Sequence, residues 1–187
     1  LSLKDFTVLY RTNAQSRTLE EVFLKAGFPY KIVGGLKFYD RKEIKDLLAF
    51  LRLLENEKNL PALERIINVP PRGLGKDNDL KILTGDAAEV LISNLTPRRL
   101  RAWQNFRELL DFLRRKSTEL NLSALLKLLM EKVGYENYIK EKNEAGEEKW
   151  ENVKELFSVT QKYDPLAPGE GLRFFLEEAA LMSNHDE

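Results

Sequence analysis

Tyr10 and Arg11 stand side by side at the end of a mostly apolar run, Phe6 to Leu9, with small polar residues after them. A phenol ring can stack on a nucleobase, and a guanidinium can neutralise charge developing on a transferring phosphoryl group. The run Phe6–Tyr10 reads as a short buried strand. That places the pair at a strand's carboxyl end, where parallel α/β sheets bind their ligands. The plain alternative is a rim tyrosine beside a surface arginine, and the residues alone leave both open.

Two further clusters carry possible chemistry. In "GGLKFYDRKEIKD", residues 34–46, Gly34 and Gly35 permit close backbone approach, while Lys37, Arg41, Lys42 and Lys45 interleave with Phe38 and Tyr39. Rings that stack on bases beside cations that meet phosphates are the means by which single strands are held. A strand-to-helix turn with Phe38 in the core fits the same residues. In "PPRGLGK", residues 70–76, the turn Gly73-Leu74-Gly75 is flanked by Arg72 and Lys76. Backbone N–H groups exposed by such a turn hold phosphate without reading sequence. A plain boundary turn is the competing reading.

Other chemistries find little support. The sequence has no cysteine and one histidine, His185, so thiolate and most transition-metal sites are excluded. It contains neither a GxxxxGK[ST] phosphate loop nor a GxGxxG turn. The carboxylate pairs Glu20-Glu21 and Glu177-Glu178 read as solvated helical faces. These residues do not compose a complete enzyme.

The elements that must position the clusters follow from periodicity. Leu19, Val22, Phe23 and Ala26 give a helix over Ser16–Ala26, stopped by Gly27. Tyr30–Val33 then reads as a second strand, so residues 6–33 form a β-α-β unit whose right-handed crossover makes the strands parallel. Beyond Arg41 the pattern is helical. Ile44, Leu47, Leu48, Leu51 and Leu54 make one stripe, with Asp40 as its expected N-cap. A second helix spans residues 60–68, and "VPPRGLG" breaks it at residues 69–75. Helices follow over 97–115, 123–133, 147–163 and 171–182. The expected fold is therefore an α/β part, residues 1–68, followed by a mostly α-helical part, residues 69–187.

Composition agrees with a soluble globular protein: 43% of the 187 residues are hydrophobic and 32% charged. No apolar run is long enough to span a membrane. Freedom from cysteine suits the cytoplasm, and a start without methionine suggests a piece of a longer chain. The formal net charge is zero, yet it is +3 over residues 1–68, +4 over 69–116 and −7 over 117–187. A basic front and acidic tail are compatible with a polyanion along one face, and equally with ordinary surface variation.

Taken in order, "VLYRTNAQSR", "YKIVGGLKFYDRKEIKDLLAFLRLL" and "ERIINVPPRGLG" resemble the UvrD/PcrA/Rep-type superfamily 1 DNA helicases. The likeness continues through "NLTPRRL", "LLKLLMEKVGYENYI" and "WENVKELFSV". One departure is Trp150, which stands where the family has arginine before the Glu-Asn pair. The resemblance implies that residues 1–68 are the first part of the RecA-like motor domain 2A and that 69–187 are its 2B insertion. It implies an ATP-dependent 3′-to-5′ helicase acting on single strands and duplex junctions in repair or replication. Domains 1A and 1B, the rest of 2A and the Mg²⁺ ligands would lie elsewhere in the parent chain, leaving this piece inactive alone.

By the same resemblance, Tyr10 stacks on adenine and Arg11 reaches the γ-phosphate. Gly35, Lys37 and Arg41 face the single-strand track, while Arg72, Gly73, Gly75 and Lys76 grip duplex backbone. The alternatives are a non-catalytic DNA-binding or protein-interaction module on the same scaffold, and a relative joined to a nuclease domain.

Overall fold

A computed structural model describes residues 2–11, 15–74, 96–140 and 144–183. Its α-helices are α1 (Ser16–Lys25), α2 (Lys42–Glu55), α3 (Leu60–Ile66), α4 (Pro97–Ser117), α5 (Leu122–Val133), α6 (Tyr135–Lys140), α7 (Glu144–Thr160) and α8 (Glu170–Ser183). Short 3-10 turns cover Leu3–Asp5, Phe38–Asp40 and Gln161–Tyr163.

The central element is α2. Its predicted stripe, Ile44, Leu47, Leu48, Leu51 and Leu54, is buried; Ala49, Phe50 and Leu53 widen the buried face, and Lys42, Lys45, Arg52 and Glu55 stay at or near the surface. So wide an apolar face must be covered, and α3, α4, α7 and α8 pack against it. One continuous core results. It joins Phe38 and Phe50 to Trp103, Phe106, Leu126, Leu156 and Phe175, and so runs across the boundary expected at residues 68 and 69.

Local chemistry sets the helix ends. Asn59 Oδ1 accepts the Ala62 N–H at 3.1 Å, and Asn121 Oδ1 accepts that of Ala124 at 3.1 Å. Thr96 caps α4 by accepting the Arg99 N–H, with Pro97 next in sequence; both choices are favoured at helix starts. Asp40 does not cap α2. It lies in the 3-10 turn and pairs with Lys45 at 2.6 Å, while Arg41 takes the N-cap position.

The β-α-β expectation is overturned: among the described residues there is no strand. Residues 6–10 and 29–32 flank α1 without helical structure, and no ladder joins them. The reason lies in the orientation of α1. The residues it buries are Ser16, Arg17, Glu20 and Glu21, whereas Val22 of its apolar stripe is 55% exposed. With the polar face turned inward, none of the helix's apolar side chains is fully buried: Leu19, Phe23 and Leu24 are half-buried and Val22 is exposed. Leu9 and Val33 are 90% and 86% exposed, so neither segment has a partner layer to rest on. The fold of the described residues is all-helical.

Since α2 carries the core, Leu47→Ala should destabilise the chain by about 2–5 kcal/mol through lost burial and the cavity left behind. Urea unfolding followed by circular dichroism checks this. A midpoint indistinguishable from that of the unsubstituted chain would contradict the central place of α2.

Candidate functional site

The three sequence clusters have different fates. Tyr10 and Arg11 are on the surface, Tyr10 at 36% exposure. The Arg11 N–H donates to Gln15 Oε1 at 3.0 Å, which ties the segment's main chain to the residue before α1. Both side chains are thus presented outward from a short tether, as a pair meeting an external ligand requires.

The second cluster divides. Gly34, with φ +81°, and Gly35 are exposed, and Lys37 lies 5.7 Å from the centre of the Tyr30 ring. Rings and cations beside open backbone are the groups that can hold a nucleic-acid strand. Arg41, by contrast, is internal. It is 6% exposed, and its guanidinium donates to Asn152 Oδ1 at 2.8 Å and Ser16 Oγ at 2.7 Å. Its Nε donates to the Leu36 carbonyl at 3.4 Å, and its plane lies 5.5 Å from the Phe38 ring centre. Burial lowers its pKa, an effect opposed by Glu20, Glu43, Tyr10 and Glu148.

In the third cluster Arg72 also turns inward. Its Nη1 donates to the carbonyls of Val69 at 2.8 Å, Ile66 at 3.1 Å and Pro70 at 3.2 Å. The guanidinium lies 4.7 Å from the Phe106 ring centre, and burial pushes its pKa down to about 10. Leu74 is buried as an anchor, while Gly73, at φ +75°, is exposed and faces open space. A β-carbon there would meet nothing but would be strained by the positive φ. Gly75, Lys76 and His185 lie outside the described residues.

Sequence reasoning missed the polar plate behind these clusters. Glu20 and Glu21 are not solvated: they are 7% and 8% exposed. Glu20 accepts the Ser16 hydroxyl at 2.7 Å and both its oxygens lie 3.3 Å from the Phe38 N–H. Glu21 pairs with Arg17, whose Nε also donates to Glu155 at 2.5 Å, and Lys162 reaches Glu21 at 3.3 Å. Burial works against the charge of Arg17, but the bonds to Glu155 and Glu21 prevail and its pKa is raised. Glu178 is half-buried and accepts the Tyr163 hydroxyl at 2.5 Å. The i,i+4 spacings Ser16–Glu20 and Arg17–Glu21 were visible, but nothing local announces that this face is the inner one.

The family described as the UvrD-like helicase C-terminal domain matches residues 1–187. The chain belongs to that family. Relatives of this UvrD-like chain include the ATP-dependent DNA helicase PcrA of Bacillus subtilis (strain 168), 37% identical over 196 residues. PcrA of Leuconostoc citreum is 37% identical over 205 residues, and that of Staphylococcus epidermidis strain RP62A is 39% identical over 196. The alignments cover 99%, 100% and 98% of this chain but 26%, 27% and 27% of those relatives. The chain therefore spans about a quarter of their length. Among its described residues no helix is long and apolar enough to cross a membrane.

Within this UvrD-like domain the inward turn of Arg72 has a measurable consequence. Arg72→Ala leaves carbonyls at the end of α3 without their donor, so stability should fall by about 1–3 kcal/mol. Lys37→Ala, which removes a half-buried surface cation, should change it by less than about 0.5 kcal/mol. Thermal or urea unfolding of the two variants distinguishes them. Equal, small effects would return Arg72 to the surface.

Proposed function

We propose that this chain is part of an ATP-dependent DNA helicase, in which it supplies one wall of the nucleotide cleft and part of the DNA-contacting surface. The observation that carries the reading is the family match over the whole chain, joined to relatives whose own names are ATP-dependent DNA helicase. Residues 1–68 are assigned to motor domain 2A and 69–187 to the 2B insertion. Tyr10 and Arg11 suit the nucleotide: the ring is free to stack and the guanidinium to meet the γ-phosphate. ATP, when bound, supplies the phosphoryl transfer that drives stepping. Mg²⁺ would be held by acidic residues of the parent outside this chain.

DNA would meet Gly35 and Lys37 along the single strand, with Gly73, Gly75 and Lys76 at the duplex. Arg41 and Arg72 hold the framework for these contacts, since their guanidinium groups are committed to protein acceptors. The exposed apolar side chains Phe6, Leu9, Val33 and Leu36 mark the face against which the rest of the parent chain packs. Action in the 3′-to-5′ direction, a place in repair or replication and a cytoplasmic setting complete the proposal.

In the parent protein, Arg11→Ala should lower kcat for ATP hydrolysis by about 10³-fold or more, the scale of arginine fingers, with DNA affinity retained. Steady-state hydrolysis with saturating DNA and an anisotropy titration measure the two quantities. Near-normal hydrolysis would remove Arg11 from the mechanism, and the 187-residue chain alone should not turn over ATP.

A further inference from the structure

Arg72 is desolvated without an acid beside it. Arg17 pairs with Glu21 and Glu155, and Arg41 has Glu20 and Glu43 near it. Around Arg72 no carboxylate plays that part among the described residues, and burial acts on its pKa unopposed. Carbonyls and rings meet its charge instead. The hydrogen bonds of the side chain all leave from Nη1, to the carbonyls of Ile66, Ile67, Val69 and Pro70. The guanidinium lies 4.7 Å from the Phe106 ring centre and 6.0 Å from that of Phe50. Its Nε and Nη2 N–H groups therefore have no acceptor among the described residues. That edge is the fork which takes a carboxylate bidentately.

The same arginine lines an open groove of about 280 Å³, together with Ala102, Asn105, Phe106 and Leu109 of α4. The volume is close to the lower end of ligand sites. Ala102, Asn105 and Leu109 recur at helical spacing, and Arg98 continues their row one turn earlier. The row is chemically ordered: an exposed cation at Arg98, a small apolar step at Ala102, an exposed amide at Asn105 and a half-buried aliphatic chain at Leu109. Arg101 and Arg107 are exposed on the same helix. From residue 97 to residue 110 the only carboxylate is Glu108.

We propose that this groove is a docking site for an acidic, apolar peptide segment of a partner protein. One carboxylate of the peptide takes the open edge of Arg72, an adjacent aliphatic side chain covers Phe106 and Leu109, and a second carboxylate reaches Arg98. Asn105 offers its amide to the peptide backbone. Charge complementarity selects an acidic ligand. The apolar floor selects a peptide over a nucleic-acid backbone, which has phosphate for Arg72 but no aliphatic group to lay on Leu109. The inference does not rest on the helicase reading, in which Arg72 serves only as framework.

The test is a fluorescence-anisotropy titration of the parent protein with three labelled, end-capped hexapeptides. The first alternates glutamate and leucine, the second replaces its glutamates with glutamine, and the third replaces its leucines with serine. The first should bind saturably, and the other two roughly tenfold to a hundredfold more weakly. In Arg72→Ala the preference for glutamate over glutamine should disappear. Asn105→Asp sets a carboxylate at an exposed position in the groove and leaves the carbonyl bonds of Arg72 in place. It should weaken the first peptide by about tenfold or more, and it reports even where Arg72→Ala does not fold. No saturable binding of the first peptide overturns the proposal, as does equally tight binding of the second or third. Unchanged binding in Asn105→Asp overturns it too. So does a duplex oligonucleotide that displaces the first peptide and is itself weakened by Asn105→Asp, because the groove is then a phosphate site.

Discussion

Much of this structure follows from the need to satisfy one desolvated guanidinium. Arg41 is taken out of water at the junction of α1, α2 and α7 and is 6% exposed. A buried cation without partners is strongly unfavourable, so acceptors must converge on it. Ser16, Asn152 and the Leu36 carbonyl do so. Meeting that demand turns the polar face of α1 inward, and a second ionic group, Arg17 with Glu21 and Glu155, lies along the same face.

That choice divides the molecule into two kinds of contact. Around α2 the packing is apolar, continuous and non-directional, and it holds α3, α4, α7 and α8 as one body. Around α1 the contact is polar and directional, while Val22 of its apolar stripe and the neighbouring Phe6, Leu9 and Val33 are exposed. The same split explains the two arginines. Those predicted to reach DNA, Arg41 and Arg72, hold backbone and helix junctions instead, and the residues left at the surface are Tyr10, Arg11, the glycines and Lys37.

The sequence was most legible where local chemistry decides. The stripe of α2 and the glycine after α1 could be read because periodicity and positive φ act over a few residues. Family membership was legible from short local motifs, densest over residues 6–75. The sheet was misread because a strand exists only through its ladder, which no run of five residues contains. Glu20 and Glu21 were misread because i,i+4 polar spacing looks alike on a solvated face and on a buried one. What decides between them is tertiary contact: Lys162, 141 residues away, reaches Glu21, and the Phe38 N–H from the next turn reaches Glu20.

The account stands on the inward polar face of α1, and amide hydrogen exchange by NMR on this chain tests it most directly. If Glu20 accepts the Phe38 N–H beneath that face, the Phe38 amide is protected while those of residues 7–10 and 31–33 exchange rapidly. Rapid exchange at Phe38 with protection along both flanking segments would mean that α1 sits the other way round, on a sheet, and would contradict the account.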